Sequence, residues 1–100
     1  MTMTNDNIRE ALSDYFAGDE ETLNEIVLFE NPDYADAVVG ISHDNRPIYS
    51  YAKMVEHLMR VDDITEEEAI DFIDTNTMRS LPYAAAYGAH PPIILFDLFI

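Results

Sequence analysis

Ser42, His43 and Asp44 stand side by side and together hold the side-chain types of a hydrolytic triad. That chemistry needs the serine hydroxyl on one imidazole nitrogen and the carboxylate on the other, and neighbours at a loop tip cannot converge that way. The stretch His43-Asp44-Asn45-Arg46 reads as a polar turn instead. His43, His57 and His90 are scattered, with no pair at the i, i+4 spacing of a helical metal site, and there is no cysteine to supply thiolate. The run Asp62-Asp63-Ile64-Thr65-Glu66-Glu67-Glu68 offers the hard oxygens that calcium takes, but it lacks the turn glycine of a calcium loop. Thr65 and Glu68 fit a helix capping box better. Asp97, inside an apolar stretch, is the best candidate for a perturbed carboxylate, with Arg79 as a candidate partner. An acid–base hydrolase built on Asp97 requires a pocket around it. The residues as they stand predict no enzyme, no cofactor and no metal site.

The carboxylates act more convincingly as a set. Twenty acidic residues face five basic ones, a net charge of −15 on 100 residues. Self-repulsion of that size destabilises a small fold, and a strongly basic partner would offset it. Residues 1–45 carry eleven acids and one base, Arg9. Residues 46–61 hold Arg46, Lys53 and Arg60 against Glu56, and residues 62–74 hold seven acids and no base. On a helix running from 66 to about 79, Glu67, Asp71 and Asp74 share one exposed face opposite Ile70 and Ile73. Neighbouring carboxylates there stand about 6 Å apart, close to the spacing of phosphates along a DNA strand. Asp74, near the expected end of that helix, opposes the macrodipole, so helix stability alone does not place it there. Asp62, Asp63 and Glu66 extend the cluster, and Asp19, Glu20, Glu21 and Glu25 form a second patch. The plainer readings are a solvated helix face or halophilic adaptation, the latter at odds with the uneven charge.

The elements that must position these groups make residues 1–100 a single acidic α+β domain: about four helices on a small, mostly antiparallel sheet built from a hairpin and a C-terminal strand. Hydrophobic residues make up 48% of the chain, enough for a core. Ile8, Leu12, Tyr15 and Phe16 fall at helical spacing, with Asn5 or Asp6 as cap and Gly18 as stop. A helix from about 20 to 25 gives way to an extended segment before Asn31-Pro32. Residues 37–42 and 47–49 form the hairpin. Ser50 caps a helix with Tyr51, Met54, Val55, Leu58 and Met59 on its apolar side and Lys53, Glu56, His57 and Arg60 on the other. Thr65 opens the next helix, which buries Ala69, Ile70 and Ile73 and ends at Leu81-Pro82 before a loop over 83–92. Ile93 to Phe99 is an apolar strand, either central in the sheet or an edge that pairs with another chain. The N-terminal residues lack the pattern of a secretory signal, and the longest apolar run, Ile93 to Phe96, is far too short for a membrane span. A cytoplasmic protein, in contact with neither membrane nor nucleic acid, is the expectation.

Two stretches carry a resemblance. Asn31-Pro32-Asp33-Tyr34-Ala35-Asp36-Ala37-Val38-Val39-Gly40-Ile41-Ser42, followed by Arg46-Pro47-Ile48-Tyr49-Ser50-Tyr51, is one. Glu67-Glu68-Ala69-Ile70-Asp71-Phe72-Ile73, running into Asn76-Thr77-Met78-Arg79-Ser80-Leu81-Pro82-Tyr83, is the other. Over about residues 26–98 the chain resembles a family of small phage and prophage proteins with no assigned activity. The resemblance implies origin on a mobile element, and it makes Asn76, Thr77, Arg79 and Pro82 a helix-ending hydrogen-bond motif. A small acidic phage protein is similar in kind to anti-CRISPR proteins and other DNA-mimic inhibitors. The expected function is therefore inhibition of a host defence complex, a CRISPR effector first among them, through its basic nucleic-acid-binding surface. The alternative is a structural or regulatory phage protein that forms a homodimer through the apolar segment from Ile93 to Ile100.

Overall fold

The computed structural model of the protein describes residues 3–30, 32–87 and 90–98. Helix α1 (Asn5–Tyr15) opens on Thr4, whose hydroxyl accepts from the Asn7 amide while the Asn7 side chain accepts from the Thr4 amide. The cap thus lies one residue before Asn5, because this reciprocal pair satisfies two backbone donors where Asn5 or Asp6 alone would satisfy one. The Asn5 side chain is used differently, donating to the Phe29 carbonyl at 2.7 Å. Gly18 takes the left-handed conformation, φ 76°, that turns the chain out of α1. Asp19 then caps α2 (Glu20–Glu25), and from Ile26 the backbone is extended and bridges His90.

Strands β1 (Val38–Ile41) and β2 (Pro47–Ser50) form the antiparallel hairpin, with a bulge between Val38 and Gly40. Its turn is closed by Ser42, whose hydroxyl accepts from the Arg46 amide at 3.0 Å and donates to the Asp44 carboxylate. The serine and aspartate of the apparent triad are spent on turn geometry. Strand β3 (Ile93–Leu95) pairs in parallel with β2, placing Ile94 opposite Tyr49. The sheet order β1-β2-β3 puts β3 at an edge. Only three residues of the expected strand pair, because Asp97 is drawn off to Ser50 at the end of β2; Phe99 and Ile100 lie outside the described residues.

Between β2 and β3 the chain crosses over through helices. Ser50 caps α3 (Tyr51–Val61), and Thr65 and Glu68 form the expected capping box of α4 (Glu66–Phe72). The helix does not stop at Leu81-Pro82. It widens into a π-helical turn, Ile73–Thr77, and continues as α5 (Met78–Tyr87) with Pro82 inside. Two side chains bond carbonyls along this stretch: Asn76 donates to Phe72 O and Ser80 to Thr77 O. The stretch around Asn76 and Thr77 therefore lies within a continuing helix and does not end one, and residues 83–87 of the expected loop are helical. Among the described residues the architecture is α+β, with four helical bodies (α1, α2, α3 and the α4–α5 rod) on a three-stranded sheet.

The main core joins Tyr34, Tyr49, Met54, Leu58, Ala69 and Ile73, and a smaller one joins Ile8, Leu28 and Ala35; Val38 touches both. Tyr34 is 0% exposed and sits at φ 47°, a left-handed backbone that an aromatic residue holds only under compulsion. Its ring packs edge-on to Phe29, and its hydroxyl lies 2.8 Å from Thr77 Oγ1 within the π turn. Burial raises its pKa. Thr77→Val keeps the shape but strands that hydroxyl, and should cost about 1–3 kcal/mol in urea denaturation. The double variant with Tyr34→Phe should recover much of the loss, since both polar groups are then gone. Strict additivity would mean the two groups do not interact.

Candidate acidic interface

The structure divides the two acidic patches. In the patch at α2, Asp19 accepts from the Thr22 amide and hydroxyl, Glu20 and Glu21 sit in the first turn where the dipole favours them, and Glu25 Oε2 lies 3.5 Å from His90 Nε2. All four carboxylates have a local reason to be there. The patch from 62 to 74 is mixed, since Glu66 and Glu67 likewise sit in the first turn of α4, where the dipole favours them. Asp62, Asp63, Glu66, Glu67, Asp71 and Asp74 are all exposed, and among the described residues none of them joins an ion pair.

Asp74 is not at a helix end. The rod continues for thirteen residues beyond it, to Tyr87. Its carboxylate instead accepts from the Tyr51 hydroxyl at 3.0 Å. Burial, and then Asp74 itself, push that hydroxyl up to about 12, so it remains a donor at neutral pH. The acids that oppose helix stability are two others. Asp62 is the C-cap of α3, and Asp63 follows it in the left-handed region at φ 53°. A negative charge at a helix C-terminus is unfavourable, and the left-handed position after the cap suits glycine.

Asp36 shows what a structural acid looks like here. His57 Nδ1 lies 2.8 Å from its Oδ1, and Arg60 bonds its other oxygen. Burial raises the Asp36 pKa, but the hydrogen bond from Arg60 and the adjacent His57 more than offset this and hold it below the ordinary carboxylate value. His57 is consequently buried, with the Tyr34 ring at 5.5 Å, and does not share the polar side of α3 with Lys53 and Glu56. Met59, expected on the apolar side, is 37% exposed. The pair clamps the short 3-10 turn Ala35–Ala37 to α3.

Asp97 meets α3 at its start. Its carboxylate accepts from the Ser50 hydroxyl at 2.8 and 2.9 Å and from the Ala52 amide at 3.1 Å. Those bonds, the Ala52 amide first, lower its pKa, so it is held as an anion at a helix N-terminus and is not the raised carboxyl an acid catalyst needs. The expected partner Arg79 plays no part in these contacts. Beside Asp97 the chain closes a groove of about 350 Å³ between α3, α4 and the segment after β3. Tyr51, Val55 and Met59 of α3, Ile70 of α4 and Phe96 make its apolar surface, with Glu56 and Glu66 at its edge. The Tyr51 and Phe96 rings lie 4.9 Å apart. Tyr51 links this groove to the acidic face through Asp74, and Glu66 belongs to both.

No protein-family model, curated protein or solved structure matches this chain. The groove was hidden in the sequence because Phe96 and Asp97 come from a segment far away in the chain. The one local signal is the stripe Tyr51, Val55 and Met59, which reads equally well as core. Among the described residues no group of three or more histidine, aspartate or glutamate side chains is arranged to hold a metal ion.

Two substitutions check these assignments. Asp63→Gly should raise stability by about 0.5–1 kcal/mol, because glycine takes the left-handed backbone without penalty; a loss would reveal a local role for the carboxylate. Asp97→Asn keeps hydrogen-bond acceptors but removes the charge. A lowered folded pKa means the charge stabilises the fold in full above the unfolded value of 3.8 and that this is lost as pH falls through the folded value. The stability gap between wild type and Asp97→Asn should therefore be open near pH 6 and narrow as pH falls below 3.8. A gap independent of pH would assign the effect to hydrogen bonding alone.

Proposed function

We propose that the protein is a non-enzymatic inhibitor that presents the carboxylates of residues 62–74 to a basic nucleic-acid-binding surface of a host defence protein. The observation that carries this reading is the placement of Asp62 and Asp63. Both stand exposed and without an ion pair at the end of α3, where the helix dipole and backbone conformation favour other residues. They run directly into Glu66 and Glu67 at the start of α4, with Asp71 one turn on. An array of that kind draws a groove of lysine and arginine by electrostatic steering and competes with phosphates for it. The resemblance to phage proteins makes a CRISPR effector the first target to try, since such complexes hold nucleic acid in positively charged channels.

A second reading has one observation in its favour. Leu95, Phe96 and Leu98 are exposed on and beside the edge strand β3, with Leu98 at 85%, as expected of a structural or regulatory protein that dimerises there. Sedimentation at raised concentration separates the two, because the inhibitor reading expects a monomer at a charge of −15.

The direct test is an electrophoretic shift of target DNA by guide-loaded CRISPR effectors. Excess protein should reduce the shifted fraction, less so as salt is raised. Glu67→Lys with Asp71→Lys, two exposed positions, should restore DNA binding while the circular dichroism spectrum stays that of the wild type. Effectors that bind DNA undiminished in the presence of the protein would sink the mechanism.

A further inference from the structure

The groove between α3, α4 and the post-β3 segment has a composition that charge repulsion alone does not call for. Its apolar surface of Val55, Met59 and Ile70 is flanked by an aromatic pair, Tyr51 and Phe96, and bordered by Glu56 and Glu66. Phe96 is 58% exposed, a large apolar ring left in water at the mouth. Glu56 and Glu66 are exposed, and among the described residues neither joins an ion pair. We propose that this groove is the docking slot for an arginine side chain projecting from the basic partner.

The fit follows from what each part favours. A guanidinium stacks on aromatic faces and bonds carboxylates through a planar fork, whereas an ammonium is a compact, strongly hydrated charge. The apolar surface suits the aliphatic stem of arginine, and the acidic edge suits its head. Nucleic acid and anionic lipid are repelled by the same edge. A second copy of the chain is disfavoured by its own charge, and three of its four arginines, Arg9, Arg46 and Arg60, are already paired with carboxylates. The inference rests on the reading that the partner is a basic protein. It adds that recognition prefers arginine over lysine, which a purely electrostatic mimic does not.

The test uses two nine-residue peptides, alternating arginine–glycine and alternating lysine–glycine, each titrated into the isotope-labelled full chain and followed by amide shifts. The arginine peptide should bind about threefold to fivefold more tightly, with the largest shifts at Tyr51, Val55, Ile70 and Phe96. Phe96→Ala should erase that preference while leaving lysine-peptide affinity nearly unchanged, and Phe96→Leu, which keeps the apolar bulk, should erase it too. Glu67→Gln with Asp71→Gln should weaken both peptides alike and leave the preference standing. Equal affinity for the two peptides, a preference that survives both Phe96 variants, or a concentration-dependent dimer that occupies the groove would each overturn the proposal. Effectors that still bind DNA beside a persisting arginine preference would instead count against the inhibitor reading alone.

Discussion

The contact on which most of this structure turns is the carboxylate of Asp97 at the start of α3. Ser50 is fully buried where β2 becomes α3, so its hydroxyl needs both a donor and an acceptor. It accepts from the Lys53 amide and donates to Asp97, which also takes the Ala52 amide. One anion thereby completes a helix cap, satisfies a buried hydroxyl and fixes the chain after β3. The parallel pairing of β3 with β2 and the groove beside Phe96 both depend on where that segment is held. The charge is at once a cost to a chain of −15 and the pin that sets its C-terminal geometry.

Sorting the other acids by what they touch gives the net charge a physical meaning. Asp36 is bonded by His57 and Arg60, Asp19 and Glu68 are spent on helix caps, and Asp44 closes a turn. These acids need no partner outside the molecule. Glu66 and Glu67 sit in the first turn of α4, where the dipole favours them, whereas Asp62, Asp63 and Asp71 have no comparable employment; all five are exposed and fall within ten residues of chain. The unpaired charge is densest there, although Glu10, Asp14 and Glu56 also stand exposed and, among the described residues, join no ion pair. Screening by salt should relieve the internal repulsion there and weaken any electrostatic interface by the same physics.

Local chemistry was readable in the sequence where neighbours in the chain are also neighbours in space. The Thr65–Glu68 box, the Ser50 cap, the hairpin turn and the left-handed Gly18 all rest on contacts within a few residues. The sequence misled where distant side chains decide. Pro82 ordinarily marks a helix end, but the rod continues past it, after a π turn at Ile73–Thr77 whose Thr77 hydroxyl is bonded to Tyr34. His57 looked solvent-facing by periodicity and is buried because Asp36, twenty-one residues earlier, receives its ring nitrogen. Asp74 seemed misplaced against a dipole that in fact ends much farther on, and the misplaced acids proved to be Asp62 and Asp63. The principle held while its address changed, since it depended on a helix boundary that tertiary contacts moved.

In the proposed interface the acidic face and the groove would do different physical work. Unpaired carboxylates act over about a Debye length and accept any dense array of positive charge, so they speed encounter but discriminate poorly. An aromatic and aliphatic groove acts only on contact, and a buried stacking side chain contributes affinity that salt does not screen away. Glu66 and Tyr51 belong to both regions, Tyr51 with its hydroxyl on Asp74 and its ring on Phe96. On the proposed reading, a cation drawn to the face would find the groove beside it. An inhibitor that had only the charge would bind every basic protein in the cell. The groove is the part of this fold able to make one of them preferred.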